Sequence, residues 1–132
     1  MEQLLRQRAE SIWTVAIRSV LPDEAVRRAL EHFHPQRRVF LVAAGKAAWQ
    51  MAHAALAVLG RVDAGIVITK YGHVRGPLPG VTCCEAGHPV PDDNSFAATQ
   101  RALALVSGLR ADDTVLFLLS GGGSALFEKP LL

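Results

Sequence analysis

The chain opens with two stretches in which apolar residues recur at helical spacing. From Leu4 to Val20 the apolar positions follow one side of a helix, with arginines and glutamates interspersed, and this pattern predicts an amphipathic helix. A second helix is expected to begin at Pro22, whose fixed φ suits a first turn, and to end before Pro35. The inward-facing residues are expected to be Leu5, Ala9, Ile12, Ala16 and Ser19 in the first helix, and Val26, Ala29, Leu30 and Phe33 in the second.

Beyond residue 37 the pattern changes to short, nearly continuous apolar runs. The run Arg38–Ala44 is typical of a strand that is buried on both faces of a parallel sheet. We predict three further strands, at Ala64–Thr69, Val81–Ala86 and Thr114–Leu119. Helical patterns separate the strands, one over Ala47–Leu59 before Gly60 and one that Asn94 and Ser95 cap and that continues to Leu109. Alternating strands and helices predict an α/β fold with a mostly parallel sheet. We also expect Trp13 and Trp49 to pack between helices.

Composition narrows the class of protein. A chain of 132 residues suits one domain, and a hydrophobic fraction of 50% argues against a disordered chain. The net charge of +2 comes from scattered arginines and aromatic residues make up 6%, so we expect no nucleic-acid partner. No apolar run approaches the roughly 18 residues that a membrane span needs, so we expect no membrane partner.

The cysteines and the first residues bear on location. Cys83 and Cys84 are adjacent, so they cannot form an ordinary loop-closing disulfide, and no CxxC pair is present for zinc. The N-terminal residues lack the apolar core of a signal peptide. Both features favour a cytoplasmic protein.

Candidate chemistry lies where the strands end, because the carboxyl ends of parallel strands meet at one edge of the sheet. The four strands lead into Gly45-Lys46, into a loop with Lys70 and His73, into Gly87–Ser95, and into Ser120–Ser124. Lys70 and His73 carry the weakest signal, and we interpret them as surface residues. His32, His34 and His53 lie in helical patterns and are interpreted as structural or solvated.

The segment Ser120-Gly121-Gly122-Gly123-Ser124 is the strongest candidate. Three glycines allow the backbone to approach an anion and to turn its N–H groups inward, so the segment predicts a cradle for a phosphate or a carboxylate. We expect Ser124 to cap a following helix. A dinucleotide-binding loop or a nucleophile elbow would both need glycine at Leu126, which excludes both motifs. The alternative is a flexible turn.

Two further segments share this edge. Lys46 begins a helix, where a positive charge opposes the helix dipole, and its position therefore suggests an anionic partner. The loop from Gly87 to Ser95 holds His88, two prolines, Asp92 and Asp93, so its polar groups could act as a base or help to hold magnesium. The alternatives are a solvated lysine and a rigid surface loop. No set of metal ligands stands out.

Four of these segments together resemble one family. Val42–Ala52 (VAAGKAAWQMA), Gly65–His73 (GIVITKYGH), Glu85–Ser95 (EAGHPVPDDNS) and Leu118–Leu126 (LLSGGGSAL) occur in the order found in glycerate 2-kinases of the MOFRL type. Members of that family have often been labelled hydroxypyruvate reductases. The resemblance extends over essentially the whole chain. It implies a three-layer, Rossmann-like layout.

The resemblance also implies a reaction, in which ATP and a divalent metal such as Mg²⁺ phosphorylate D-glycerate to 2-phosphoglycerate. It implies Lys46 as the catalytic charge. The residues that it implies for binding phosphate or substrate are Gly45, Ser120, Gly121, Gly122, Gly123, Ser124, His88 and Ser95. Because family members are about three times longer, residues 1–132 are expected to be the N-terminal part of a glycerate-kinase-like α/β domain, without the family's C-terminal domain.

Three readings of function remain open from the sequence. The first is the kinase, for which these residues alone are expected to be inactive. The second is a hydroxypyruvate reductase using NAD(P)H, which the absence of a GxGxxG segment after any strand disfavours. The third is a non-catalytic fragment that binds a small anion. A partial sheet would leave an edge or an apolar face uncovered, so self-association is expected in any of these cases.

Overall fold

A computed structural model describes residues 1–131, which form an alternating series of helices and strands. The order and bounds are α1 Glu2–Ser19, α2 Pro22–Leu30, β1 Val39–Ala44, α3 Ala48–Leu59, β2 Ala64–Lys70, β3 Val81–Ala86, α4 Asp93–Leu105, β4 Thr114–Leu119 and α5 Gly123–Leu126. The four predicted strands are all present. β1 starts one residue later than expected and β2 extends one residue further.

The strands form one parallel sheet in the order β3-β2-β1-β4. β1 lies in the middle and pairs with β2 on one side and β4 on the other, with Val42 opposite both Ile66 and Phe117. All six residues of β1 are buried, as the continuous apolar run indicates. The predicted α/β fold with a parallel sheet is confirmed.

Helices cover both faces of the sheet and give three layers. On one face α3 packs its small residues Ala48 and Ala52 against Leu41 and Val67, and α2 packs against α3 through Val26 and Leu30. On the other face α4 and α5 pack against Val42 and the strands beside it. Because α3 carries alanines on its inward side, it approaches the sheet closely. The three-layer layout that the resemblance implied is confirmed.

Two expectations about the first helices are wrong. α1 forms where predicted, but none of its residues is buried, and Trp13 is 69% exposed. The apolar side of α1 therefore has no covering element among residues 1–131. In α2 the buried residues are Val26 and Leu30, whereas Ala29 is exposed. Within the same part of the chain, no helix is both long enough and apolar enough to cross a membrane.

The start of α4 differs from the prediction. Asp92 is the N-cap residue, in place of Asn94 and Ser95. The Asp92 carboxylate accepts a hydrogen bond from the Ser95 N–H at 3.1 Å, and the Asp92 N–H donates to the Ser95 hydroxyl at 3.1 Å. This reciprocal pair satisfies two backbone donors at the helix start. α4 also ends at Leu105, four residues before the expected end.

An ion pair holds the amino ends of β1 and β4 together, at the edge opposite the candidate loops. Arg38 Nη2 lies 2.6 Å from Asp113 Oδ2, and the Arg110 N–H donates to the same carboxylate at 2.7 Å. The Asp113 side chain is fully buried, whereas the neighbouring Asp112 pairs with Arg37 in solvent. The Arg38 guanidinium lowers the pKa of Asp113 through its hydrogen bonds. The register of β4 against β1 thus has a polar anchor at one end.

An apolar groove lies between β4 and α4. It has a volume of about 440 Å³, and one of its lining residues, Phe117, is 47% exposed. Its lining residues are Val42, Ala102, Leu103, Val106, Val115, Phe117 and Phe127. The β4 side chains on this face are exposed because no neighbouring strand or helix covers them among the residues described.

Candidate anion-binding site

The sheet order places a crevice between β1 and β4. β1 is followed in sequence by β2 on one side, while the later strand β4 pairs with its other side, so the chain direction across the sheet reverses there. In open α/β sheets, ligands bind outside the carboxyl ends of the strands at such a point. The segments that follow β1 and β4, Gly45-Lys46 and Ser120–Ser124, both lie at this point, as predicted.

The two segments are joined by hydrogen bonds. The Lys46 N–H donates to the Gly121 carbonyl at 2.9 Å, and the Ala47 N–H donates to the Ser120 hydroxyl at 3.0 Å. Gly45 has a φ of 122°, a backbone conformation that favours glycine, and a Cβ at this position would collide with Ser120. Ser120 therefore links the two turns, with its hydroxyl as the acceptor.

Lys46, His88 and Gly122 come together at this junction. A Cβ placed on Gly122 would lie 2.8 Å from the His88 Nε2 atom and 3.1 Å from the Lys46 Cγ atom. Gly122 has a φ of 88°, which places it in the left-handed region. His88 is half-buried, whereas Lys46 is exposed, so the lysine stem passes the glycine backbone while its ammonium group faces solvent. Three residues predicted from separate segments thus share one small region.

The glycine loop supplies backbone donors here. Over residues 1–131, the N–H groups of Gly121 and Gly122 donate no hydrogen bond to the protein. No atom outside the adjoining residues lies within 4 Å of the Cβ position of Gly121, which is open space. Free N–H groups in a glycine turn, next to an exposed ammonium group, are suited to an anion with several oxygens.

Three other predicted residues have different positions. Gly122 precedes the first residue of α5, so it occupies the N-cap position in place of Ser124, which is exposed within the helix. Gly123 is buried against Leu119. Ser95 is buried, and its hydroxyl is used in the α4 cap. The structure therefore brings Gly45, Lys46, His88 and Ser120–Gly122 together, and it does not bring Ser95 into that group.

Asp92 connects three segments. Its carboxylate accepts a hydrogen bond from the Tyr71 hydroxyl at 2.6 Å, and the Asn94 amide donates to the same hydroxyl at 2.7 Å. Hydrogen bonds from Tyr71, and then from the backbone of Gly87 and Ser95, lower the pKa of Asp92 to about 2. In return, the carboxylate raises the pKa of Tyr71. The ionised Asp92 carboxylate therefore stabilises the loops through the hydrogen bonds that it accepts.

The structure also shows contacts around Lys46 that the sequence did not predict. The carbonyl oxygen of Lys46 lies 3.0 Å from His73 Nδ1 and accepts a hydrogen bond from the Thr69 hydroxyl at 3.4 Å. The Trp49 indole N–H donates to the Gly76 carbonyl at 2.9 Å, so the loop after β2 is attached to α3 as well. In the sequence, the one feature that could have indicated these contacts is that Tyr71, Gly72 and His73 directly follow a strand. Surface residues without any such contact follow strands in the same way.

The chain matches known proteins over nearly its full length. A family model described as a domain of unknown function, DUF4147, matches residues 8–132. A D-glycerate 2-kinase from Thermotoga maritima is 53% identical over 96% of this chain and 30% of that protein. A protein from Agrobacterium vitis that bears a hydroxypyruvate reductase name is 43% identical over 95% of this chain and 28% of that protein.

Solved structures give the same result. The crystal structure of the T. maritima glycerate kinase matches with a TM-score of 0.90 and 52% identity, covering 98% of this chain and 31% of that one. The chain thus spans about 30% of the length of the curated relatives that it matches. These matches confirm the resemblance to glycerate 2-kinases that the four sequence motifs indicated. The chain belongs to the DUF4147 family.

Proposed function

We propose that residues 1–132 form the N-terminal part of the α/β domain of a D-glycerate 2-kinase. The proposed reaction transfers the γ-phosphoryl group of ATP to the C2 hydroxyl of D-glycerate and yields 2-phosphoglycerate. The observation that carries the proposal is the junction of Lys46, His88 and Gly122 at the crevice between β1 and β4. The names of the relatives and their identity to this chain support the choice of glycerate.

Each residue at the junction has a part that its geometry supports. Phosphoryl transfer depends mainly on positioning and on neutralising negative charge, which an exposed ammonium group and free backbone N–H groups provide. Lys46 would neutralise charge on the transferred group, and the N–H groups of Gly121 and Gly122 would orient its oxygens. Gly45 and Ser120 keep the two turns in register through the hydrogen bonds between them. His88, in contact with the same turn, would line the pocket.

ATP would bind here through its phosphates, whose oxygens the free N–H groups of Gly121 and Gly122 would meet, and a side chain on Gly122 would collide with His88 beside them. A bound ATP would supply the transferable phosphoryl group. Magnesium is a different case. Within residues 1–131 no group of three or more His, Cys, Asp or Glu side chains is arranged to hold a metal ion. Asp92 is already engaged by Tyr71 and by the α4 cap, so we assign no step to a metal held by these residues.

An assay of ADP release that requires both ATP and D-glycerate tests the proposal. It is made on the protein as its gene encodes it, with Lys46→Ala as the test variant and Lys129→Ala as the control. Lys129 is exposed and follows α5 in the chain, beyond the glycine loop. We expect Lys46→Ala to lower kcat/KM by at least about a hundredfold, as the loss of one charge-stabilising group does in other enzymes. Unchanged turnover in Lys46→Ala would remove the catalytic assignment.

Two other functions are distinguished by related assays. The name of the A. vitis relative favours testing a hydroxypyruvate reductase, through oxidation of NADH or NADPH by hydroxypyruvate. The turn after β1 holds a single glycine, Gly45, and therefore lacks the spacing that a dinucleotide requires. An anion-binding fragment would show a thermal shift with ATP or phosphate and no turnover. We expect that outcome for residues 1–132 on their own.

The proposed location is the cytoplasm. Cys83 and Cys84 are both free thiols, which persist where glutathione and thioredoxin keep cysteines reduced. They lie on opposite faces of an edge strand, because successive strand residues alternate. The substrate would be the small molecule D-glycerate, and nucleic acid or membrane has no part in the proposal.

A further inference from the structure

The loop after β2 lies against Lys46 on one side and against the loop that carries His88 on the other. His73 contacts the main chain at Lys46, while Tyr71, two residues earlier, contacts Asp92. Gly72 between them has a φ of 80°, and the His73 N–H donates to the Lys70 carbonyl at 3.1 Å. The backbone therefore turns sharply here, and the two side chains make separate contacts.

The contact of His73 is a hydrogen bond to the main chain of Lys46. A carbonyl oxygen can only accept, so the His73 Nδ1 atom, 3.0 Å from the Lys46 carbonyl, is the donor. With the Thr69 hydroxyl at 3.4 Å, the same carbonyl has two side-chain donors. Two donors on one carbonyl fix the plane of the peptide that joins Lys46 to Ala47. The Ala47 N–H of that peptide is in turn bonded to the Ser120 hydroxyl at 3.0 Å.

The contact of Tyr71 extends this support to the third segment. The Asp92 carboxylate that accepts from Tyr71 also lies against Gly87, where a Cβ would be 3.0 Å from Asp92 Oδ2. Gly87 directly precedes His88, whose imidazole rests on Gly122. A continuous series of contacts therefore runs from Lys46 through His73 and Tyr71 to the His88 loop.

We propose that His73 and Tyr71 are positioning residues for the anion site. His73 fixes the peptide that follows Lys46, and Tyr71 fixes the His73 loop to Asp92 and so to His88. This inference rests on the proposed function, because it assigns the two residues to the binding of the same phosphate. Neither residue is required to touch the anion.

The test measures binding of inorganic phosphate and of ATP to the 132-residue chain by NMR, from the amide signals of Lys46, Gly121 and Gly122. The variants are His73→Ala, His73→Asn and Tyr71→Phe, with the exposed His34→Ala as the control. Asparagine can place its amide N–H near the position of Nδ1, so His73→Asn keeps the donor. Phenylalanine keeps the ring and removes only the hydroxyl.

We expect His73→Ala to weaken phosphate binding about fivefold to tenfold, the effect of losing one hydrogen bond, and His73→Asn to restore most of it. Tyr71→Phe is expected to weaken binding and to shift the His88 signals, and His34→Ala to change neither. The Lys46 carbonyl ¹³C shift is expected to move in His73→Ala and to return in His73→Asn.

The outcomes separate the two proposals. Normal phosphate binding by His73→Ala, or a loss that asparagine fails to restore, overturns the inference while the anion site stands. Normal binding by Tyr71→Phe with unchanged His88 signals overturns the part assigned to Tyr71. If the wild-type chain binds neither phosphate nor ATP, the anion site itself is wrong and this inference is overturned with it.

Discussion

Replacing Gly122 with alanine tests the geometry of the cradle most directly. At a φ of 88°, an alanine experiences the strain of the left-handed region, about 1–2 kcal/mol. Its Cβ would also lie 2.8 Å from His88 Nε2, so the imidazole must move by several tenths of an ångström at a cost of about 1 kcal/mol. The smaller conformational entropy of alanine in the unfolded chain offsets about 0.5 kcal/mol. We expect a net destabilisation of about 2 kcal/mol.

Two other glycines separate the components of this effect. Gly108 has a φ of 69° with nothing within 4 Å of its Cβ position, so Gly108→Ala carries the backbone strain alone. Gly121 has open space and no positive φ, so Gly121→Ala carries neither component. We expect a loss of about 1 kcal/mol for Gly108→Ala and no loss for Gly121→Ala. Urea unfolding, followed by far-UV circular dichroism, measures all three changes.

Anion binding distinguishes the contact from the strain. Gly122→Ala would displace His88 and the Lys46 stem beside the free N–H groups, so phosphate affinity should fall at least about tenfold. Gly108→Ala should keep the wild-type affinity. Equal affinities in the two variants would refute the cradle, and equal stabilities of Gly122→Ala and Gly121→Ala would refute the argument from backbone strain.

Three further predictions concern charge and surface. The pKa of Asp92 is lowered to about 2 in the folded chain, so the ionised carboxylate stabilises the fold above about pH 4, and this stabilisation is lost as the pH falls from about 4 to about 2. In Asp92→Asn, the Tm measured by thermal melting should therefore change less over that pH range. Asp113→Asn should lower the Tm clearly, whereas the exposed Asp112→Asn should change the unfolding free energy by no more than about 0.5 kcal/mol, and equal Tm values would contradict the buried anchor. We propose that the apolar groove mediates self-association of the chain, so Phe117→Ser should shift its sedimentation toward monomer at high concentration; an unchanged distribution would contradict this.

The sheet could be predicted from the sequence because the apolar run of its central strand is uninterrupted. The run Val39–Ala44 is apolar at every position, and only a central parallel strand buries both faces in this way. The same logic failed for α1, whose apolar pattern predicts a buried side that nothing within residues 1–131 covers. The periodicity of apolar residues shows which side of a helix is apolar. It does not show whether another element is present to pack against that side.

The candidate site was predictable from the sequence to the level of segments. Strand ends and glycines located Gly45-Lys46 and the Ser120 loop, because parallel topology brings such ends together. The N-cap residue of α4 was harder to predict. Asp92, Asn94 and Ser95 are all good N-cap residues, and only the path of the backbone selects Asp92. The contact of His73 could not be predicted, because its partner is a main-chain oxygen 27 residues away and every residue has such an oxygen.

The close packing of Gly45 on Ser120 limits the substitutions that the protein tolerates at these two positions. Any side chain at position 45 would displace Ser120 and separate the two turns, so a substitution there cannot be compensated by a change in one turn alone. Efforts to alter ligand preference by mutagenesis should therefore leave these two positions fixed. The open side of the glycine loop at Gly121, where a side chain meets nothing, is the place at which new contacts to a larger or differently charged ligand can be introduced.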